Sequence, residues 1–250
     1  MGIGNSLFWR LVIGSIGYCT MVIIPSLVEK TPEDLFFVIQ KLAPHYQQFQ
    51  VDIEDGIYIP NKTLSVSDIQ KYLLHNTPPK NLTYDFHLMV KEYEEEIKRI
   101  DGLKGALTIQ SILVHTSLKP DYQMLCKKYS HFTFGLVINP QEEVGIIASQ
   151  YNLNNVPIIQ IMTVIPGPQG QPFIPEALQK IEQLRITGFR NKIYLDGAIN
   201  EKTIPIINAL KYKPDVLCPG SFLARTNALE EHVNFLSPLP NPPTPTFHHY

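Results

Sequence analysis

The sequence predicts an α/β fold in which eight short strands alternate with eight helices around a closed barrel. Two observations support this fold. First, short apolar runs alternate with amphipathic stretches along the chain. Second, the chain contains eight strand–helix pairs within about 215 residues, which is the number found in one β/α barrel. An open doubly wound sheet is the alternative, but no glycine-rich turn follows the first strand to bind a dinucleotide.

Each predicted element rests on a local pattern. The strands are short runs rich in Val, Ile, Leu and Phe, at 22–26, 49–53, 82–88, 111–116, 132–138, 157–164, 192–196 and 215–219. The helices are amphipathic stretches, several of which open on a Thr, Ser or Asn cap or on a proline in the first turn, at 31–43, 65–74, 91–100, 121–129, 141–151, 174–185, 200–211 and 227–236. We therefore expect a single barrel domain over residues 21–236.

Both ends of the chain are expected to lie outside this domain. The apolar stretch near the start is short, contains Arg10 and has no basic region before it, so it favours neither a spanning helix nor a secretory signal. Because Met21 directly precedes the first strand, residues 1–20 are interpreted as an N-terminal extension of uncertain status. Residues 237–250 contain five prolines and are expected to be a disordered tail.

Composition limits the partners of the protein. A formal net charge of -2 and a charged fraction of 18% give no electrostatic attraction to nucleic acid or to an anionic membrane, so a small-molecule partner is favoured. Cys19, Cys126 and Cys218 are far apart and form no CxxC pair. This usage favours free thiols in a reducing compartment, and hence a cytoplasmic protein.

Polar residues recur where the predicted strands end. In a β/α barrel the chemistry lies at these carboxyl ends, so the residues are expected to form a ring around the active site. The ring contains no lysine, which argues against a Schiff-base aldolase. Its members are Ser26, Asp52, His87, His115, Asn139, Thr163, Asp196 and Ser221.

Several motifs occur in a fixed order from about residue 22 to residue 224: "IIPSL", "VDIEDGIYIPNKTL", "DFHLMV", "GLVINP", "IMTVIPGPQGQPFIPEALQKIEQLR", "LDGAIN" and "PGSFL". In this order they resemble the ribulose-phosphate 3-epimerase family, of which the chain would be a divergent member. The resemblance implies a TIM (β/α)8 barrel and an isomerase of carbohydrate metabolism, in the pentose phosphate pathway. Such enzymes invert carbon 3 of a pentulose 5-phosphate, interconverting D-ribulose 5-phosphate and D-xylulose 5-phosphate. Hexulose-phosphate 3-epimerases share the pattern, so the length of the sugar stays open.

The resemblance also implies roles for individual residues. It makes Asp52 and Asp196 the catalytic acid/base pair, and it makes both of them, with His87, ligands of a divalent zinc, iron or manganese ion. Residues implied to contact the substrate or its phosphate are Ser26, Met89, Met162, Gly167, Gly170, Gly197, Gly220 and Ser221. The chemistry suits these residue types, because removing the carbon-3 proton gives an ene-diolate that needs two bases and oxyanion stabilisation.

Two residues of the expected metal site differ from the pattern of the family. Gln50 stands where the family has a metal-binding histidine, and an amide oxygen binds transition metals more weakly than imidazole does, so we expect weakened metal affinity. Glu54 stands where the family usually has a methionine, and strand alternation puts it on the same face as Asp52. We hypothesise that Glu54 partly replaces the lost ligand or tunes Asp52.

The loops expected to bind the phosphate also differ from the family pattern. Gln169 and Ala198 stand where relatives have glycine, and Gln169 restricts the approach of the backbone to a phosphate. Pro219 precedes Gly220 and removes one backbone N–H. Alternatives to a working epimerase therefore stay open: a catalytically weak or dead relative that binds a sugar phosphate or a partner protein, or a barrel enzyme with another phosphorylated substrate. Relatives often form homo-oligomers, but no interface signal is visible in the sequence.

Overall fold

The computed structural model describes residues 21–237, which form eight parallel strands around a barrel. Strand β1 consists of two short segments, Val22–Ile23 and Ser26–Leu27. The other strands are β2 (Gln48–Glu54), β3 (Thr83–Met89), β4 (Thr108–His115), β5 (Thr133–Ile138), β6 (Ile158–Met162), β7 (Lys192–Asp196) and β8 (Val216–Cys218).

The two segments of β1 close the barrel. The first pairs with β8, with Ile23 opposite Leu217, and the second pairs with β2, with Ser26 opposite Gln50. Pro25 lies between the segments and has no N–H to donate, but its carbonyl accepts from Gln50 N at 2.9 Å. Each strand therefore has a neighbour on both sides, and the expected closed barrel replaces the open-sheet alternative.

Helices follow the strands in sequence and cover the outside of the barrel. They are α1 (Pro32–Leu42), α2 (Val66–Leu73), α3 (Tyr93–Asp101), α4 (Tyr122–Lys128), α5 (Val144–Gln150), α6 (Gln179–Ile186), α7 (Ile204–Asn208), α8 (Ser221–Ala224) and α9 (Leu229–Leu236). Single 3-10 turns occupy Thr116–Leu118, Leu153–Asn155 and Pro175–Leu178. The predicted caps start their helices: the Thr31 side chain accepts from Asp34 N, and Ser65 and Asp68 form a capping box.

Apolar side chains pack much of the barrel interior. Inward-facing residues of successive strands form one apolar cluster, which includes Ile24, Leu113, Val137, Ile158 and Tyr194. The residues that alternate with them face outward and pack under the helices. This packing leaves the polar inward residues of β2, β3, β6 and β7 in contact with one another.

The observed elements differ from the predicted ones mainly at their ends. Strand β4 begins at Thr108 rather than 111, because it continues its pairing with β3 through a register shift. The predicted helix 200–211 is reduced to α7, because residues 200–203 form a turn in which Asn200 Oδ1 accepts from Lys202 N. The short helix α8 was not predicted.

The expected extension, residues 1–20, and the expected tail after Ser237 lie outside the described residues, as does Cys19. Within residues 21–237, no helix has both the length and the apolar character needed to cross a membrane. Cys126 and Cys218 are free thiols.

Candidate active site

Three predicted residues meet at the carboxyl end of the barrel. Asp52 comes from β2, His87 from β3 and Asp196 from β7, and each faces inward because strand side chains alternate. All three are buried, with at most 5% of each residue exposed. His87 Nδ1 lies 3.1 Å from Asp52 Oδ1 and 3.4 Å from Asp196 Oδ2.

These contacts shift the pKa values of the cluster. Burial raises the pKa of Asp52 to about 6, although its hydrogen bond with His87 opposes the shift. Burial alone lowers the pKa of His87, but hydrogen bonds with Asp196 and Asp52 outweigh burial and raise that pKa to about 9. The two carboxylates beside His87 thus favour its protonated form.

A second histidine supports the first. His87 Nε2 lies 2.9 Å from His115 Nε2, and the two rings stack with centroids 5.0 Å apart. Burial, together with the charge of His87, lowers the pKa of His115 well below its usual value. His115 is therefore neutral and accepts the Nε2–H of His87, which directs His87 Nδ1 toward the carboxylates.

Two glutamine amides complete the polar cluster. Gln50 Nε2 donates to Asp196 Oδ2 at 2.7 Å and to Asp52 Oδ1 at 3.1 Å. Gln160 Nε2 donates to the same Asp196 oxygen at 3.0 Å and lies 3.2 Å from His87 Nδ1. Gln160 was not predicted as a site residue. Its signal was a lone polar side chain at an inward position of the otherwise apolar strand β6.

The donor set fits a divalent cation. Asp52, His87 and Asp196 each offer one ligand atom, and these atoms all lie within 4.8 Å of one another. Two carboxylates and an imidazole are ordinary ligands of a transition metal ion. The residues therefore fit the metal that the sequence led us to expect, without identifying the ion.

Glu54 lies outside that three-residue group. Its Oε2 accepts from the Asn61 amide, whereas its Oε1 is buried and has no hydrogen-bond partner among residues 21–237. Burial, with the charge of Asp52 second, raises the pKa of Glu54 to about 7. Glu54 is thus an ionisable group beside Asp52, held in place by Asn61.

A cavity opens above the cluster and brings the expected substrate residues together. Asp52, Glu54 and Asp196 line it. So do Ser26, Met89, Met162, Gly167, Gly170, Gly197, Gly220 and Ser221, which are all the residues expected to contact substrate or phosphate.

Four members of the predicted ring, His87 among them, do not line this cavity. His115 lies behind His87, and Asn139 Nδ2 donates to Tyr58 Oη at 3.2 Å. Thr163 N donates to the Asp196 carbonyl at 2.7 Å and joins the ends of β6 and β7. For these residues the structure shows supporting contacts rather than contact with the cavity.

Close backbone approach explains two small residues of the cavity wall. A Cβ on Gly220 would lie 3.0 Å from Ser26 Oγ, so a side chain at this position would press on the expected substrate-contacting serine. Gly197 has a φ of 115°, and a Cβ there would lie 2.7 Å from Val164 Cγ2. Ala198, at the second position of the same turn, has a φ of 52°, a conformation that favours glycine.

Comparison with known proteins agrees with this geometry. Solved structures of tryptophan synthase α-subunits from Pyrococcus furiosus share the fold; one mutant form has a TM-score of 0.52 and 12% identity, covering 86% of this chain and 96% of its own. Ribulose-phosphate 3-epimerase of Methanocaldococcus jannaschii is 30% identical over 69% of this chain and 70% of its own length. The Bacillus subtilis enzyme of that name is 29% identical over 63% of this chain and 71% of its own. The model of the ribulose-phosphate 3 epimerase family matches residues 22–223, and the chain therefore belongs to that family.

Proposed function

We propose that the protein inverts carbon 3 of a phosphorylated ketose, interconverting D-ribulose 5-phosphate and D-xylulose 5-phosphate. The observation that carries this proposal is the convergence of Asp52 and Asp196 on one nitrogen of His87, at the base of the cavity. Carbon 3 lies next to a keto group, so its proton is acidic enough for a positioned carboxylate to remove.

The two carboxylates divide the proton transfer between them. One, as the carboxylate, takes the carbon-3 proton, and the electron pair of that bond moves toward the keto oxygen to give an ene-diolate. The other, which begins the step as the carboxylic acid, gives its proton to the opposite face of carbon 3 and becomes a carboxylate. Asp52 and Asp196 are on strands separated by β8 and β1 around the barrel, so they approach a substrate from different sides. Because burial raises the pKa of Asp52 to about 6, this carboxylate is a stronger base than an exposed one and is still ionised at neutral pH.

The ene-diolate oxygens need electrostatic stabilisation. A divalent zinc, iron or manganese ion would supply it as a Lewis acid when bound, and Asp52, His87 and Asp196 would hold that ion, with Gln50 as a weak further ligand. His115 fixes the orientation of the His87 ring. For Glu54 we propose the tuning of charge beside Asp52, and partial ligation remains the competing role.

The rest of the cavity suits a phosphorylated sugar. Ser26, Met89 and Met162 would contact the carbon chain. Gly167, Gly170, Gly197, Gly220 and Ser221 would present the backbone to the phosphate, since glycine permits close approach. The free thiols of Cys126 and Cys218 favour a reducing cytoplasm. A phosphate-competition assay that detected no binding would contradict every sugar-phosphate assignment.

Solvent-deuterium incorporation at carbon 3 of ribulose 5-phosphate, followed by NMR, tests the function. The protein is first stripped of metal, and zinc, manganese or iron is then added back. We expect exchange that depends on an added metal. Exchange without metal would leave the epimerase assignment in place but transfer oxyanion stabilisation to protein groups. No exchange by folded protein under any condition would favour a hexulose phosphate substrate, tested next, or a binding role.

A further inference from the structure

Gln160 reaches the expected metal ligands, yet the proposed function gives it no role. The residue is fully buried at 0% exposure, and its amide contacts Asp196 Oδ2 at 3.0 Å and His87 Nδ1 at 3.2 Å. Gln50 approaches the same Asp196 oxygen from β2, at 2.7 Å. Two neutral amides therefore flank a site whose other donors are two carboxylates and one imidazole.

The carbonyl oxygens of these two amides form few or weak hydrogen bonds with the described residues. Gln160 Oε1 is buried, and no group of the described part of the chain forms a hydrogen bond with it. Gln50 Oε1 accepts from the Cys218 thiol, a weak donor, at 3.7 Å. A half-turn of each amide exchanges its nitrogen and oxygen, and places an oxygen against the cluster in exchange for the amide hydrogen bonds to Asp52 and Asp196. That orientation is unfavourable beside bare carboxylates and favourable beside a cation.

We propose that Gln160 is a further metal ligand and that Gln50 and Gln160 together turn their carbonyl oxygens toward the ion. Five donors would then comprise one imidazole nitrogen and four oxygens. Carboxylate and carbonyl oxygens suit hard ions such as Mn²⁺ and Mg²⁺, whereas additional imidazoles suit Zn²⁺. The amide pair shifts the preference of the site from Zn²⁺ toward Mn²⁺. This inference rests on the metal site of the proposed function.

Metal selectivity tests the inference independently of catalysis. The full chain and its variants are titrated separately with Mn²⁺ and Zn²⁺ in competition with a chelator. In Gln160→Leu we expect Mn²⁺ affinity to fall about tenfold or more, and Zn²⁺ affinity to fall clearly less. In Gln50→His, Zn²⁺ affinity should rise relative to Mn²⁺. Gln160→Val is the second variant if Gln160→Leu unfolds.

Gln48 supplies a matched control. It is a third glutamine of the barrel, but its Nε2 donates to Asp85 Oδ2 at 2.7 Å, one interior layer away from the metal cluster. Gln48→Leu should leave both metal affinities unchanged. If it does, the effect of Gln160→Leu is specific to position 160 and is not a general result of replacing a glutamine of the barrel with leucine.

The outcomes separate ligation from simple support. If Gln160→Leu lowers Mn²⁺ and Zn²⁺ affinity by the same factor, Gln160 only orients the carboxylates and the inference is overturned. Unchanged affinities, or a wild-type protein that binds neither ion, overturn it as well. Carbon-3 exchange by the same wild-type samples reports separately on the proposed function, so exchange with an unshifted Mn²⁺-to-Zn²⁺ ratio would refute the role of Gln160 alone.

Discussion

Asp52 and Asp196 meet at a single atom, because their nearest carboxylate oxygens lie 3.1 Å and 3.4 Å from Nδ1 of His87. They belong to strands β2 and β7, which are not neighbours in the barrel. Gln50 also donates from one nitrogen to both carboxylates. The two proposed bases are thus held at a fixed separation by side chains of the barrel interior rather than by mobile loops.

Replacing either base should remove activity without unfolding the protein. We expect Asp52→Asn and Asp196→Asn each to slow carbon-3 exchange by about 10²- to 10⁴-fold, the usual contribution of a positioned general acid or base. Deuterium incorporation followed by NMR measures the rate, and circular dichroism checks the fold. Near-normal turnover by either variant would refute the assignment of two bases.

Asp85 provides the control for these substitutions. Its carboxylate is also buried inside the barrel, but it accepts from Gln48 Nε2 at 2.7 Å and Ser111 Oγ at 2.6 Å and does not line the cavity. Asp85→Asn should retain carbon-3 exchange. Loss of exchange in this variant would show that any buried carboxylate of the interior is needed, and the effects at Asp52 and Asp196 would lose their specificity.

The raised pKa of Asp85 predicts that the difference in stability between wild type and Asp85→Asn depends on pH. Burial raises the pKa of Asp85 from 3.8 to about 6, so the folded state holds this proton more tightly than the unfolded state does. The stability from this group is fully present below pH 3.8 and is lost as the pH rises through about 6. Each pKa unit is worth about 1.4 kcal/mol, so the loss at pH 8 is on the order of 3 kcal/mol.

Urea unfolding of both proteins at pH 4 and at pH 8 measures this effect. Groups common to both proteins cancel in the comparison. Asp85→Asn should therefore gain stability relative to wild type as the pH rises between the two values. A difference in unfolding free energy that stays constant with pH would contradict a raised pKa at Asp85.

Glu54→Gln separates the two roles considered for that residue. Because the pKa of Glu54 is raised to about 7, its charge changes within the working range of the proposed site. We expect an inflection near pH 7 in the carbon-3 exchange rate of the wild type, lost in Glu54→Gln, with metal content retained. A fall in metal content would identify Glu54 as a ligand, and no change in either property would remove it from both roles.

Much of the fold and the centre of the site could be predicted from the sequence. The strands are apolar runs bounded by helix caps, and a ring of polar residues at their ends marks the carboxyl end of a barrel. Asp52 and His87 could be placed together because they end consecutive strands, and they are opposite each other in the register of β2 and β3.

The contacts that could not be predicted depend on packing across the barrel. The approach of Gln160 to Asp196 requires the tilt and register of β6 and β7, where Met162 pairs with Asp196. The His87–His115 contact likewise needs the register shift between β3 and β4. A lone polar residue in an apolar strand marks Gln160 as unusual but does not identify its partner, because such a residue is compatible with many different hydrogen bonds.

The backbone conformation of Ala198 leads to a prediction about the stability of the protein. Its φ of 52° places it in the left-handed region, which costs a non-glycine residue about 1–2 kcal/mol. The turn is held there by Thr203 Oγ1 and Asn200 Nδ2, which donate to the Ala198 carbonyl at 2.7 Å and 3.0 Å. Glycine also loses more entropy on folding, which offsets roughly 0.4–1 kcal/mol of the relief.

We therefore expect Ala198→Gly to stabilise the protein by about 0.5–1 kcal/mol, which for a chain of this size raises Tm by roughly 1–4 °C. Thermal unfolding followed by circular dichroism measures the shift. Gly197→Ala is the matched opposite, because a Cβ there would lie 2.7 Å from Val164 Cγ2 and φ is 115°. It should lower Tm. A lower Tm for Ala198→Gly would show that the strained turn is relaxed by a backbone rearrangement, since glycine otherwise adopts this φ without steric cost.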